Sequence, residues 1–254
     1  MLRFSTLRWC LLISLLAVGA TLSSCSKKES KDSGNTLQLS VGAKIKGLDP
    51  ADASDLYSSR QIALVYEGLL QYHYLKRPYT LIPNLAESMP ELSKDAKTYT
   101  FKIKKGVLFQ DDPSFTATNG KGRELVAEDF VYSFKRLADP KVLSSGWWIF
   151  DGKVVGLNEW RDAASKAGKA NYDEKVEGLK ATDRYTLQIK LKEPSAQFLY
   201  YLAMSFTYVV PREAVEKYGA DFIRNPVGTG PYMLARSESD LNSKIIWTKN
   251  PTYR

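Results

Sequence analysis

Apolar and polar positions recur with two different periods along this chain, and the switches between them outline its elements. At 37–41 (LQLSV) every second residue is apolar, which predicts a strand with one buried face. A turn-rich passage, GLDPADASDLYSSR, follows with several candidate helix caps. Ile62, Val65, Tyr66 and Leu69 then recur at helical spacing. Strand period returns at 99–103 (YTFKI), before a long irregular stretch, QDDPSFTATNGKGREL. Phe130, Phe134 and Leu137 share one face of a predicted helix that Asp139-Pro140 stops, with Glu128 and Asp129 in its first turn. Tyr185, Leu187, Ile189 and Leu191 predict another strand, 195–206 and 211–218 two helices, and 232–234 and 244–248 two strands. The types alternate without a fixed repeat, which predicts a mixed α/β or α+β architecture and argues against a solenoid or propeller.

The first residues follow a different pattern. Arg3 and Arg8 precede an uncharged apolar run at 9–20, WCLLISLLAVGA. Twelve residues are fewer than the roughly 20 that span a bilayer, but they suit the core of a secretory signal. Leu22-Ser-Ser-Cys25 resembles a bacterial lipobox, so residues 1–24 are expected to leave as a lipoprotein signal peptide and Cys25 to receive the lipid. Residues 25–36 are polar, as a flexible tether would be. Cleavage removes Cys10 and leaves one cysteine, so no intrachain disulfide is expected and stability falls to a packed core. The composition, 44% apolar, supports one.

Charge and side-chain inventory narrow the chemistry. The formal charge of +8 becomes +6 without Arg3 and Arg8, and it is spread through mixed runs such as KIKK and EDF…KR. That distribution predicts a solvated surface rather than nucleic-acid binding. His73 is the only histidine, which excludes a zinc site built on histidines and a serine triad using any other base. DDPSFTATNG at 111–120 has the acidic density of a calcium loop but lacks its ligand spacing, so no metal is expected. Gly228-Thr229-Gly230 has no Lys-Ser/Thr after it, and Pro231 removes a donor where a phosphate would need one. It is expected to be a backbone bend rather than a nucleotide loop. Trp147 and Trp148, after Gly146, form either a ligand platform or part of the core.

Taken in order, LDPADASDLYSSRQIALVYEGLL, LIPNLAES, YTFKIKKGVLFQD, LVAEDFVYSFKRLADP, YTLQIKLKEPSAQFLYYLA, VPREAVEKYG and NPVGTGPYML resemble the solute-binding proteins of peptide ABC transporters, the oligopeptide/dipeptide-binding family. The resemblance covers about residues 37 to 254. It implies a periplasmic-binding-protein-like two-lobed fold, with residues 37–69 and 182–254 in lobe I and 70–181 in lobe II. It implies a binding protein, not an enzyme, with no cofactor. Its partners would be an extended peptide between the lobes, the permease of an ABC importer, and the membrane through the N-terminal lipid, with the protein a monomer at the periplasmic face. Ser26 after the cysteine leans the localisation toward the outer membrane. Ser54, Asp55, Leu56 and Tyr57 match a segment that approaches ligand in the family, with a plain helix-capping loop as the alternative. Gly146, Trp147 and Trp148 match an aromatic-bearing loop facing the cleft.

Two departures qualify that picture. The QDDPSFTATNGKGREL stretch is longer than the family's usual turn. Members are also commonly about twice as long, with a third lobe after the point matching WTKNPTYR. The sequence therefore leads to the expectation of a chain truncated before that lobe. It leaves open a peptide sensor or scaffold without transport, and relatives that bind a metal chelate, haem or an oligosaccharide.

Overall fold

The computed structural model describes residues 35–52 and 54–254. The leader, Cys25 and most of the tether therefore lie outside the described residues. Within them, no helix is long and apolar enough to cross a membrane. Residues 41–254 form one compact unit. Residues 35–41 carry no regular structure, and Leu37, Leu39 and Val41 are exposed, against the strand expected at 37–41. Alternation marks a strand only where another strand accepts its ladder hydrogen bonds, and none among the described residues does so here.

The central element is a four-stranded antiparallel sheet in the order β3 (Glu91–Leu92), β4 (Thr98–Lys102), β6 (Thr186–Lys190), β5 (Leu179–Asp183). Tyr99 stands opposite Ile189 and Phe101 opposite Leu187, so the alternating aromatic and branched residues of both strands fill one buried face. This sheet joins residues on both sides of position 181/182, the lobe boundary expected from the sequence.

Two helices pack beside it. In α2 (Ala127–Ala138), Phe130, Phe134 and Leu137 are buried as their spacing predicts. Each such side chain contributes roughly 1.5–3 kcal/mol. The burial extends much further, however: every residue of the helix except Glu128 is inaccessible, including Asp129, Lys135 and Arg136. The expected solvated charge run is therefore corrected. Arg136 forks onto Asp49 at 3.0 and 2.7 Å. Lys135 gives its ammonium protons to the carbonyls of Tyr172 and Glu174 at 2.8 and 2.6 Å. Asp129 accepts the Val126 amide and a bidentate Arg123, which also reaches Glu213. Charges are buried here because each has a partner.

The helix α3 (Leu157–Ala167) escaped the sequence analysis, although Leu157, Trp160 and Ala164 form its buried stripe. Glycines with positive φ, Gly156 and Gly168, bound it. Of the next two expected helices, 195–206 yields only α4 (Phe198–Tyr201) and a 3-10 turn at Ser205–Thr207, whereas the one at 211–218 is present as α5 (Arg212–Tyr218). Two hairpins complete the chain, β1 (Leu70–Tyr72) with β2 (Leu81–Pro83), and β7 (Tyr232–Leu234) with β8 (Trp247–Lys249).

The helix α1 (Leu56–Val65) ends earlier than expected, because Tyr66 turns to extended backbone and packs its ring in the core. Gly228-Thr229-Gly230 lies on that helix end. The Gly230 amide donates to the Val65 carbonyl at 2.7 Å, satisfying an acceptor that the last helical turn leaves open. A Cβ on Gly228 would stand 2.1 Å from the same oxygen, and one on Gly230 2.6 Å from the Val65 carbonyl carbon. These glycines permit backbone to lie against backbone, and neither has a positive φ. The Thr229 hydroxyl donates to buried Glu67 at 2.9 Å, and the Gly228 and Gly230 carbonyls accept from Gln110 and Asn250. With the Gly230 amide engaged, the segment is a packing junction and not a phosphate cradle.

Candidate functional site

The segment leading into α1 starts with a turn that α2 holds from behind. The buried Arg136–Asp49 pair anchors it, and the second oxygen-bearing contact of Asp49 is local, to the Ala51 amide at 3.0 Å. Asp55 then caps α1, with Oδ1 accepting the Tyr57 and Ser58 amides at 3.0 and 2.9 Å. Burial pushes the Asp55 carboxyl up, but the Ser58 and Tyr57 hydrogen bonds and the charge of Lys46 outweigh it, leaving its pKa below the ordinary value. Its Oδ2 is buried and has no hydrogen-bond partner among the described residues. Asp55 thus has a helix-capping duty, while Ser54 and Leu56 beside it face solvent and Tyr57 is half-buried against the core.

The second predicted segment lies next to the first. The Ser144 hydroxyl donates to the Ala51 carbonyl, and the Ser145 hydroxyl to Asp52 Oδ1 at 3.2 Å. Ser144 Oγ also accepts the Gly146 amide at 3.1 Å, which sets the start of the 3-10 turn Trp147–Ile149. Gly146 is buried against the Ser205–Thr207 turn: a Cβ there would come within 2.7 Å of the Phe206 ring. The two tryptophans part company. Trp147 is half-buried with the Arg161 guanidinium 5.1 Å from its ring centroid, whereas Trp148 is 45% exposed and meets Tyr201 edge-on at 5.2 Å. The open alternatives for this pair divide accordingly, with Trp147 packed and Trp148 presented.

The structure therefore links the stretches just before the two sequence-predicted segments, Ala51–Asp52 with Ser144–Ser145, in an arrangement that sets Gly146 against Phe206 and Trp148 against Tyr201. Sequence reasoning missed four of its supports: Asp49, Arg136, Ser144 and Phe206. Only the LDP turn hinted at the first. The Arg136 partner is 87 residues away, a separation that no local pattern encodes. Cys25 lies outside the described residues.

Two shallow depressions lie elsewhere, one lined by Asp111, Asp112, Thr116 and Asn119, the other by Arg224, Arg236 and Asp240. Neither includes residues of the face. In the first, the Asp111 oxygens hold Lys121 and the Gly122 amide, and those of Asp112 hold Arg236, Tyr218 and the Ser114 amide. Both carboxylates are thus committed to protein donors. No group of three or more His, Cys, Asp or Glu suited to a metal occurs among the described residues.

Comparisons with known proteins bear on what the face does. Residues 80–254 match the family model of bacterial extracellular solute-binding proteins, family 5, middle. The chain is 31% identical over 221 residues to the periplasmic oligopeptide-binding protein OppA of Escherichia coli, covering 86% of this chain and 36% of that protein. It is 28% identical over 260 residues to di/tripeptide-binding protein 2 of Pseudomonas aeruginosa, covering 98% and 42%. Among solved structures, it matches the pheromone receptor PrgZ with a TM-score of 0.68 at 27% identity, covering 85% of this chain and 39% of that one. Peptide-bound OppA of Listeria monocytogenes gives 0.67 at 25% identity with the same coverage. The chain spans well under half the length of each of these proteins. The mixed α/β fold is that of the periplasmic binding proteins, and the Escherichia coli and Pseudomonas aeruginosa relatives are binding proteins by name.

Proposed function

Because this chain belongs to family 5 of the bacterial extracellular solute-binding proteins, we propose that it is the peptide-binding component of an ABC importer and that Ser54–Tyr57 and Gly146–Trp148 form the face that takes the ligand. The observation that carries this is the hydrogen bonding of Ser144 and Ser145 to Ala51 and Asp52. It holds two distant segments side by side while leaving Leu56 and Trp148 open to solvent. An extended peptide would lie across them, its main chain hydrogen-bonded near Ser54–Tyr57 and a side chain stacked on Trp148. Glycine at 146 and the capped start of α1 keep that surface preorganised, which lowers the ordering cost of binding.

We assign 37–69 and the C-terminal stretch to lobe I and the region from 70 to lobe II. The pairing of β6 with β4 argues for placing the second crossing after Lys190 rather than at 181/182. Lobe closure on the ligand would precede delivery to a permease. Anchoring through Cys25 and a monomeric state at the outer-membrane face complete the proposal, supported by the Leu22–Cys25 sequence and by Ser26.

Native mass spectrometry of the full chain, with and without added tri- to pentapeptides, tests the function. A one-to-one peptide complex is expected, weakened roughly tenfold in Trp148→Ala, as loss of an exposed aromatic anchor implies. A chain that takes up no peptide, or a Trp148→Ala variant with unchanged affinity, refutes the assignment of this face.

A further inference from the structure

The hairpin β1–β2 ends in a tip, Tyr72 to Thr80 (YHYLKRPYT), that presents several large apolar side chains beside two cations. Tyr74 is 88% exposed, Leu75 76% and Tyr79 63%, and Lys76 and Arg77 stand between them. No acidic residue occurs from Gly68 to Ala86. The tip is also built, not slack. The His73 amide donates to the Thr80 carbonyl at 2.8 Å, and His73 Nδ1 accepts the Leu75 and Lys76 amides, each at 3.2 Å. Arg77 donates to the Lys76 carbonyl at 2.8 Å and lies 4.6 Å from the Tyr79 ring centroid. Tyr79 meets Tyr72 edge-on at 5.7 Å, and Tyr72 leans on Tyr200 at 6.3 Å. The structure thus holds aromatic and aliphatic side chains outward, where a solvent-facing loop would bury or omit them.

We propose that this tip is an interfacial anchor that docks on an anionic lipid bilayer, Tyr74 and Leu75 entering the headgroup region while Lys76 and Arg77 meet lipid phosphates. Charge complementarity supports that occupant, since the tip carries cations and no carboxylate. The residue types fit as well. Tyrosine has an apolar ring and a wet hydroxyl, and long cations extend their heads to the interface while their stems stay in apolar surroundings. A protein partner fits less well, because a stable interface needs about 800 Å² and some 20–30 residues on each side. A convex nine-residue tip offers far less, whereas shallow insertion needs only a few side chains. No residue of the tip belongs to the proposed ligand face, so this inference does not depend on the proposed peptide.

Co-sedimentation of the full chain with vesicles tests it, using phosphatidylcholine alone or with phosphatidylglycerol. Two double variants are compared with the unaltered chain, Tyr74→Ser with Leu75→Ser and Lys76→Gln with Arg77→Gln. All three share the apolar 9–20 segment, so its own lipid affinity cancels in the comparison. Removing the two cations is expected to cost about tenfold to thirtyfold in partitioning onto phosphatidylglycerol vesicles at low salt, and little on phosphatidylcholine or at high salt. The apolar variant is expected to lose affinity on both. Since Arg77 also braces the loop, Lys76→Gln alone provides the check, with about a fivefold loss on the anionic vesicles only. Vesicle binding equal to the unaltered chain in all three variants overturns the proposal. So does a protein partner captured through the tip while vesicle binding is unchanged.

Discussion

At the junction of 228–230 with α1, backbone lies on backbone; at Gly146, in the face proposed for the ligand, backbone lies on a side chain. Both contacts need glycine, yet they differ in what can yield. A Cβ on Gly228 meets the Val65 carbonyl, which the helix and the Gly230 amide hold in place. A Cβ on Gly146 meets the ring of Phe206, which has rotamers to move through. The first contact specifies the fold. The second fixes only where a side chain packs on the start of a turn.

Breaking the junction should have the largest effect. Gly228→Ala places a methyl at 2.1 Å from a carbonyl oxygen with no room to withdraw. It is expected to destabilise by about 4 kcal/mol or more, in the range kept for strain at a special backbone position. Thermal or urea unfolding of the full chain checks this, and a loss below roughly 1 kcal/mol would show that the junction can open. The buried pair beneath the face comes next. Arg136→Met leaves the largely buried Asp49 carboxylate without its bidentate partner, at a cost of about 3 kcal/mol. Asp49→Asn with Arg136→Met should recover part of that loss, because no unpaired charge remains. Equal stability of the single and double variants would break the account of how α2 holds the turn.

These two contacts show how far the sequence carried. The periods of α2, β4 and β6 were legible because Phe130, Phe134 and Leu137, or Tyr99 and Phe101, repeat at spacings that local geometry alone imposes. Gly228-Thr-Gly was recognisable as a backbone device because Pro231 and the missing lysine argued against phosphate. Its purpose was not, since close approach depends on Val65, which is far away in sequence. Arg136 and Lys135 looked like a solvated run because sequence displays a charge without its partner. The strand at 37–41 failed for the converse reason: its pattern is correct, but alternation cannot supply the neighbouring strand. The two segments proposed for the ligand come from resemblance alone, while Ser144 and Ser145, which tie the stretches before them, carry no local signature.

The smallest expected effect separates the two kinds of contact most sharply. In Gly146→Ala the new methyl must displace Phe206, an overpacking worth about 1–2 kcal/mol. In a Phe206→Ala background the same substitution meets open space, so its cost should fall by at least about 0.5 kcal/mol. No such recovery is available at Gly228, where the obstructing atom belongs to the main chain of Val65. Gly146→Ala should also shift Trp147 and Trp148 through the turn that begins at residue 146, and with them the affinity for peptide. A double-mutant cycle on unfolding free energy, run beside peptide titration, reads both consequences. Additive costs at 146 and 206 would mean that the Phe206 ring is not what opposes the new methyl, and the contrast with the junction would fail.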